Sequence, residues 1–125
     1  MALSRPRQKT QDRLAAYHFG RLAELRTMLY LTLRGYRILG WRYRTPVGEI
    51  DIVARKPGLL VLVEVKARRS HDTARDSLSP HQQSRLKRAA DYLRSSRPRH
   101  ASDAIRFDCC TVTWYMRLNH LTNVF

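Results

Sequence analysis

The clearest pattern of apolar and polar positions lies near the middle of the chain. Two runs rich in β-branched residues, Ile50–Ala54 and Leu59–Ala67, flank Lys56-Pro57-Gly58, and this order predicts a tight antiparallel hairpin. Both faces of each predicted strand are apolar, so we expect the hairpin to lie inside a sheet that is covered on both sides. Strand alternation assigns Asp51, Val53, Leu60 and Leu62 to one face and Ile50, Ile52, Val61, Val63 and Val65 to the other.

The register of this hairpin decides which charged side chains meet. With an even turn centred on Pro57-Gly58, Asp51 faces Glu64 and Glu49 faces Lys66, and the four ionisable groups share one face. Directly opposed residues have Cβ atoms about 4.5–5.5 Å apart, which is close enough for Asp51 and Glu64 to hold one Mg²⁺ at roughly 2.0–2.1 Å. A sheet-surface salt bridge between Lys66 and its acidic neighbours is the alternative, although three acids for one lysine is a poor ratio for a structural pair.

A long helix is predicted before the hairpin. From about Gln11 to Arg34, apolar residues recur at intervals of three and four, and Gly35 follows as a C-terminal stop. The main stripe is expected to face the core, and Glu24 lies on a second, smaller stripe from which it could reach the acidic end of the hairpin. The alternative for Glu24 is a partner for Arg21. The main stripe consists of Ala15, Phe19, Leu22, Leu25, Leu29 and Leu33, and the smaller one of Tyr17, Gly20, Glu24, Met28 and Leu31.

Two further strands and a tail complete the predicted sheet. The segment Tyr36–Arg44 is rich in aromatic and basic residues and predicts a first strand. Its Trp41 and Tyr43 are expected to fill the sheet rather than to stack on nucleic-acid bases. Ile105–Tyr115 predicts a final strand, and Leu121–Phe125 predicts a short apolar tail on the core.

A second helix is predicted to begin at a capping box. Ser79 is the N-cap, Pro80 occupies the first helical position, and Gln82 follows three residues after the cap. The apolar stripe of this helix is expected to pack on the sheet, whereas its basic side chains face solvent and are available to phosphate. A merely solvated face is the alternative for these basic residues. The stripe is Leu86, Ala89, Ala90 and Leu93, and the basic residues are Arg85, Lys87, Arg88 and Arg94.

Length and composition limit the class of protein. At 125 residues and 43% hydrophobic, the chain is expected to form one domain, residues 11–125, preceded by a mobile basic arm at residues 1–10. No apolar run approaches the roughly 18 residues of a membrane span, and the N-terminus lacks the apolar centre of a signal peptide, so a cytoplasmic protein is expected. Cys109 and Cys110 are adjacent and lack a C-x-x-C partner, which favours the core over a zinc site.

The charge balance indicates a polyanion as partner. Twenty-four Lys and Arg against ten Asp and Glu give a net charge of +14, far more than solubility requires. Arginine forks suit phosphate but do not by themselves read a base sequence. An anionic membrane surface fits less well because the basic residues are spread along the chain. The arginines expected to contact nucleic acid are Arg42, Arg44, Arg68, Arg69, Arg85 and Arg88.

The predicted element order, α-β-β-β-α-β with G-E-I-D on the second strand and E-V-K on the third, resembles the restriction-endonuclease-like fold. That α/β fold has a mixed sheet flanked by helices and a PD-(D/E)xK-type site. More narrowly, the chain is similar to the YraN family of small bacterial proteins, and beyond it to Holliday-junction-resolving nucleases. The positions that carry the resemblance are Gly20, Ala23-Glu24, Gly35-Tyr36, Gly48-Glu49-Ile50-Asp51, Val63-Glu64-Val65-Lys66, Arg68, Arg106-Phe107-Asp108 and Phe125.

This resemblance implies a nuclease site that uses Mg²⁺ or Mn²⁺. It makes Asp51 and Glu64 the metal ligands, with the backbone carbonyl of Val65 as a further ligand. It makes Lys66 the third catalytic residue. Glu24 matches a helix acid that serves junction-cleaving nucleases as an additional ligand, so the resemblance strengthens its candidacy.

The roles of two other residues, Glu49 and Gln82, are less well defined. Glu49 is an additional acid that suits a supporting or a structural role equally. At the start of the second helix, where the YraN family has a Lys, this chain has Gln82, which either supports the site or serves only the capping box. The expected function is hydrolysis of nucleic-acid phosphodiesters, with DNA favoured over RNA and branched DNA as one substrate class, and a homodimer is implied by analogy. A nucleic-acid-binding module that does not cleave and a partner-binding protein are the alternatives.

Overall fold

The computed structural model describes residues 6–70 and 78–125. Its elements are α1 (Pro6–Leu33), β1 (Arg37–Thr45), β2 (Gly48–Lys56), β3 (Leu59–Arg68), α2 (Pro80–Ser96), the short 3-10 helix Pro98–His100, β4 (Ala104–Thr113) and β5 (Leu118–Leu121). Across these residues the five strands form one sheet in the order β1-β2-β3-β4-β5. β3 and β4 are parallel, and the other neighbours are antiparallel. The predicted restriction-endonuclease-like architecture, a mixed α/β sheet flanked by helices, is confirmed.

The central hairpin and its register are also confirmed. Its turn falls at Pro57-Gly58, and the paired ladder of β2 and β3 runs up to Ile52 and Val63. The ladder ends there, one position before the predicted pair of Asp51 and Glu64. The two strands therefore part at the acidic end of the hairpin.

Each face of the sheet carries its own apolar core. The core under α2 contains Val53, Leu60 and Leu62, and both faces are covered as predicted. The placement of Ile50 on the opposite face is wrong, because Ile50 also joins the core under α2. The pairing of β2 with β3 ends at Ile52, so the alternation set by that ladder does not extend to Ile50, which is still paired with Tyr43 of β1. The core under α1 consists of Leu31, Tyr36, Ile52, Ala54, Val61, Val63 and Cys110.

The face of α1 that packs on the sheet is not the leucine-rich one. Ala23, Thr27 and Leu31 are fully buried. The Thr27 hydroxyl is satisfied because it donates a hydrogen bond to the Ala23 carbonyl at 2.8 Å. The prediction that the main apolar stripe faces the core is wrong. Four leucines of that stripe are exposed instead, namely Leu22, Leu25, Leu29 and Leu33.

The ends of α1 differ in how well they follow the prediction. The helix begins at Pro6 rather than near Gln11, so part of the predicted basic arm is helical, and residues 1–5 lie outside the described residues. It ends at Leu33, and Gly35 stops it with a φ of +90°, which favours glycine. Although α1 is 28 residues long, none of the described helices is apolar enough to cross a membrane.

The capping box of α2 is confirmed. The Ser79 hydroxyl accepts a hydrogen bond from the Gln82 N–H at 3.2 Å, and the Gln82 side chain accepts one from the Ser79 N–H at 2.9 Å. The polar, charged segment from Arg68 to Ser77 predicts a surface loop before this helix, and most of it, residues 71–77, lies outside the described residues. The predicted apolar stripe packs on the sheet, with Leu86, Ala89, Ala90 and Leu93 all buried.

The C-terminal residues form a strand, β5, that the apolar pattern does not predict. A buried carboxylate on β4, that of Asp108, anchors them: it accepts hydrogen bonds from Arg106 at 2.8 Å and from the Asn123 N–H at 3.0 Å, and it lies 2.7 Å from the His120 Nε2. Phe125 packs against the core under α2, as predicted for the tail. The Asp108 carboxylate therefore adds to the β4–β5 ladder and to the packing of Phe125 in holding the last strand and the tail to the sheet.

The two adjacent cysteines are buried, as predicted. Cys109 belongs to the core under α2 and Cys110 to the core under α1, since neighbouring residues on a strand point to opposite faces. Burial raises the pKa of the Cys110 thiol, which keeps it protonated.

Candidate active site

Asp51 lies where β2 and β3 part. Its Oδ2 accepts a hydrogen bond from the backbone N–H of Val65 at 2.8 Å. The Asp51 side chain thus takes the place of a backbone carbonyl as the acceptor between the two strands. Burial raises the pKa of Asp51 to about 6, the hydrogen bond from Val65 opposes the rise, and the negative charge of Glu24 adds to it. The charged carboxylate is thus poorly stabilised by the protein alone.

Glu64 is the second acid of the site. Its Oε1 lies 3.7 Å from the Arg85 Nη2. Its Oε2 is buried and has no hydrogen-bond partner in the described part of the chain. Burial and the negative charge of Asp51 raise the pKa of Glu64 to about 7, while Arg85 and Lys66 partly offset the rise. The two carboxylates are therefore close enough to repel each other, as the hairpin register predicts.

Lys66 is brought to the same place. It is buried on β3, two residues after Glu64, and its positive charge lowers the pKa of that acid. The structure thus groups Asp51, Glu64 and Lys66. The predicted opposition of Glu49 and Lys66 is wrong, because the ladder has already ended, and Glu49 pairs across β1 with Arg44.

Glu24 approaches the acids from the buried face of α1. Both of its oxygens accept hydrogen bonds from Arg21 at 3.0 Å, and one accepts the indole N–H of Trp41 at 2.9 Å. Its negative charge raises the pKa of Asp51, which places it near the hairpin. Glu24 is therefore a partner of Arg21, and it also lies near the acidic end of the hairpin. The prediction that Trp41 fills the sheet is wrong, because the side chain is half exposed and holds Glu24.

Arg42 connects the two outer acids. Its guanidinium lies 3.0 Å from Glu49 and 3.8 Å from Glu24. Its φ of +53° lies in the left-handed region, which residues other than glycine rarely adopt, and such backbone strain is often found at functional sites. A phosphate contact by Arg42 would therefore compete with two intramolecular ion pairs.

Arg85 is the residue of the site whose placement the helix pattern does not predict. The helix pattern predicts that Arg85 faces solvent, but its methylene groups cross Gly48, where a Cβ atom would come within 2.9 Å of the Arg85 Cδ. The Arg85 Nε is buried and lacks a hydrogen-bond partner among the described residues. Its positive charge lowers the pKa of both Asp51 and Glu64. The one sequence signal for this contact is Gly48 at the start of G-E-I-D.

The remaining predicted phosphate contacts lie at the surface. Arg69 and Arg88 are exposed, and the Arg44 side chain is 91% exposed. Arg68 is half-buried and donates a hydrogen bond to the preceding backbone carbonyl at 3.1 Å. Gln82 uses its side-chain oxygen in the capping box, so only its amide nitrogen is left for a supporting role at the site.

The donor set at the centre fits a hard divalent cation. Asp51 and Glu64 offer carboxylate oxygens, one of them buried and without a hydrogen bond in the described residues, and a cation relieves both their desolvation and their repulsion. In the described ranges, no three side chains of His, Cys, Asp or Glu are grouped to hold a metal ion. Glu24 and Glu49 are accordingly held by arginines rather than gathered around the same point.

Comparison with known proteins identifies the family. The model of the uncharacterised protein family UPF0102 matches residues 23–112. The chain belongs to this family. The resemblance to the YraN family is thereby confirmed, and the matched part of the UPF0102 chain includes Glu24, Asp51, Glu64, Lys66 and Arg85.

Curated UPF0102 relatives match over most of the chain. A UPF0102 protein of Bradyrhizobium diazoefficiens is 47% identical over 107 residues, which cover 86% of this chain and 80% of the relative. One of Nitrobacter winogradskyi is 46% identical over 113 residues, covering 90% and 96%. One of Rhodopseudomonas palustris is 44% identical over 114 residues, covering 91% and 88%.

Proposed function

We propose that this UPF0102 protein is a metal-dependent nuclease that hydrolyses phosphodiester bonds of nucleic acid. The observation that carries the proposal is the partly buried pair Asp51 and Glu64, whose pKa values are raised to about 6 and about 7. Two ionised carboxylates at such a place are unfavourable unless positive charge joins them. Lys66 beside the pair provides part of that charge.

Asp51, Glu64 and the backbone carbonyl of Val65 are the groups that would hold the ion. The chemistry supplied by a bound Mg²⁺ or Mn²⁺ is neutralisation of phosphate charge and acidification of a water molecule. Oxygen donors of this kind are the ones that hard cations prefer. The chain positions them by ending the β2–β3 ladder beside Asp51, so that carboxylates from two strands face one volume.

Lys66 is the residue that we assign to the reacting phosphate. Its ammonium group donates hydrogen bonds either to the attacking water or to the phosphoryl oxygens on which negative charge develops. It is buried and already lies beside Glu64, so its charge is in place before the substrate binds. In surroundings less polar than water such an interaction is stronger, which favours the transition state.

The charge of the surface supports nucleic acid as the substrate. The net charge is +14, and Arg44, Arg69 and Arg88 are exposed. These arginines would bind backbone phosphates independently of base sequence. DNA is the nucleic acid that we propose, with branched DNA as the structure to examine, because junction-cleaving nucleases resemble this chain. Action on bacterial DNA would take place in the cytoplasm.

A nucleic-acid-binding module without cleavage is the second candidate. The observation that favours it is the number of arginines already engaged with the acids: Arg21 and Arg42 hold Glu24, and Arg85 lies 3.7 Å from Glu64. In such a protein the arginines would take the place of a cation, and the acids would only orient them.

Cleavage assays on linear, flapped and four-way DNA, and on RNA, distinguish the two functions. We expect product with Mg²⁺ or Mn²⁺, none with EDTA, and a loss of at least about 100-fold in Glu64→Gln and in Lys66→Ala. Asp91→Asn removes an exposed acid from α2 and is the matched control. Binding without product under every metal condition would favour the binding module. Metal-dependent cleavage that persists in Glu64→Gln would refute the assignment of the site.

A further inference from the structure

The outward face of α1 is apolar over most of its length. We call it the outer stripe. Its five leucines are 46% to 77% exposed, and His18 between them is also exposed. None of the stripe positions carries Lys, Arg, Asp or Glu, in a chain whose net charge is +14. The outer stripe consists of Leu14, His18, Leu22, Leu25, Leu29 and Leu33.

Two aromatic side chains extend the outer stripe at its N-terminal end. Trp114 and Tyr115, in the turn between β4 and β5, are 61% and 82% exposed. The Trp114 ring packs edge-on against Phe19 of α1, with ring centroids 5.5 Å apart. A cavity of about 350 Å³ lies between this ring and the stripe residues His18 and Leu22. The stripe and the aromatic turn are thus one continuous surface.

The two arginines beside the middle of the outer stripe are engaged within the chain. Arg21 is bound to Glu24, and Arg26 donates a hydrogen bond to the Met116 carbonyl at 3.2 Å. These two arginines, which flank the middle of the stripe, are therefore turned to partners within the chain. The middle of this face therefore presents leucine surface that suits an apolar occupant, whereas the exposed charges of Asp12 and Arg69 lie at its aromatic end.

The order of residues along the outer stripe is nearly the same in both directions. Counted from the point between Ala23 and Glu24, Leu22 mirrors Leu25 and Leu14 mirrors Leu33, and His18 mirrors Leu29. Two copies of α1 placed antiparallel would bring each residue opposite its mirror partner. A surface that matches itself under such a two-fold rotation is what an isologous dimer requires.

We propose that two copies of the chain form a homodimer by packing their α1 helices antiparallel along the outer stripe. The stripe is about 28 Å long at 1.5 Å per residue. Together with Trp114 and Tyr115 it exposes apolar surface on the order of 800 Å². The largest apolar patch of a typical monomer is roughly 300–600 Å², whereas each partner of a standard interface contributes about 800 Å². The area is thus sufficient for a stable dimer.

The dimer leaves the candidate active site accessible. Glu24 lies on the buried face of α1, away from the outer stripe, and Asp51 and Glu64 lie on the sheet beyond it. Association through α1 therefore does not depend on whether the protein cleaves nucleic acid, and either proposal can fail without the other.

Analytical ultracentrifugation of the full chain over a range of concentrations tests the dimer. We expect a mass of twice 14.7 kDa at micromolar concentration. The double variant Leu25→Glu, Leu29→Glu should weaken association at least about 100-fold, because it places unpaired charge in the apolar contact. Tyr92→Glu on the exposed side of α2 is the matched control and should leave association unchanged. Thermal unfolding checks that the variants are folded. A monomeric wild-type chain at all concentrations would overturn the proposal.

Cysteine cross-linking tests the antiparallel arrangement without a charged substitution. A mixture of Leu14→Cys and Leu33→Cys chains should form a mixed disulfide, whereas Leu33→Cys alone should not cross-link to itself. The native cysteines are buried and do not interfere. Cross-linking of Leu33→Cys alone would indicate parallel helices and overturn the arrangement. A wild-type monomer that binds phospholipid vesicles through Leu25 and Leu29 would show a membrane as the occupant, and would equally overturn the dimer.

Discussion

The Asp51 carboxylate accepts a hydrogen bond from the Val65 N–H at 2.8 Å, across the point where the ladder of β2 and β3 ends. The hydrogen bond gives the Val65 N–H an acceptor at a position where the backbone of β2 no longer pairs with β3. It also fixes Asp51 beside the residue that follows Glu64. The two carboxylates are therefore held together by backbone geometry, even though their charges repel.

Glu64→Gln should stabilise the metal-free protein near pH 8 and have little effect near pH 4. The folded pKa of Glu64 is about 7 against an ordinary 4.5, so the folded state holds the proton more tightly than the unfolded state. Ionisation thus penalises folding: the penalty is absent below about pH 4, grows between pH 4.5 and 7, and is complete above pH 7. We expect a gain on the order of 2 kcal/mol at pH 8.

Urea unfolding in EDTA at both pH values measures this gain. Added Mg²⁺ should reverse the ranking, because it stabilises only the chain that keeps the carboxylate. An equal gain at pH 4 and pH 8 would show that packing, and not charge, is responsible.

Arg85→Met should increase the affinity of the site for divalent cations and weaken nucleic-acid binding. The Arg85 guanidinium lowers the pKa of both acids, so it competes with any other cation at Glu64. Its loss should also destabilise the metal-free protein by about 1–3 kcal/mol, because the partly buried carboxylates lose part of the positive charge that offsets them. Isothermal titration calorimetry with Mg²⁺ and with DNA gives both affinities. Arg88→Met removes an exposed arginine of the same helix and should weaken DNA binding alone. If Arg88→Met changed the Mg²⁺ affinity as much as Arg85→Met does, the assigned role of Arg85 would be contradicted.

Gly48→Ala should disturb the site, whereas Gly58→Ala should disturb only its own turn. Both glycines have positive φ, of +139° and +75°, so both substitutions strain the backbone by about 1–2 kcal/mol. A Cβ at Gly48 would meet the Arg85 Cδ at 2.9 Å, while one at Gly58 would meet nothing within 4 Å. Urea unfolding and Mg²⁺ titration of the two variants separate these effects. If Gly58→Ala altered Mg²⁺ affinity as much as Gly48→Ala, displacement of Arg85 could not be the cause.

Asp108→Asn should destabilise the protein by about 3–5 kcal/mol at pH 7, since it removes the buried negative charge that pairs with Arg106. Burial alone would raise the pKa of Asp108, but hydrogen bonds from His120, Arg106 and the Asn123 N–H outweigh it and hold the pKa below its ordinary value. The stabilisation is therefore present above about pH 4 and is lost as the pH falls further. Chemical denaturation at pH 7 and pH 3 should show the difference between wild type and variant shrinking at the lower pH. Asp91→Asn is the exposed control, and a constant difference would contradict the charge effect.

The central hairpin was predictable because its determinants are local. A β-branched run on each side of Pro57-Gly58 sets the turn, and the turn sets the register. The grouping of Asp51, Glu64 and Lys66 followed from that register. The capping box at Ser79 was predictable for the same reason, since N-cap, Pro80 and Gln82 lie within four residues.

The packing of α1 was not predictable from periodicity. The helix is apolar on two sides, and the leucine-rich side is the more hydrophobic one, but Ala23 and Thr27 allow the other side to lie close to the sheet. Helix burial is decided by the shape of the surface that receives it. Both apolar stripes are visible in the sequence, but the sequence alone does not show which of them fits the surface of the sheet.

By itself the sequence determined the strands β1 to β4, the turn between β2 and β3, the family, and the three residues that converge at the candidate site, because each depends on neighbours along the chain. Only the tertiary structure decided that β2 and β3 part at Asp51, that Arg85 crosses Gly48 to reach Glu64, and that the leucines of α1 face outward. These contacts join residues that are distant in sequence, and they depend on how helices and sheet pack in space.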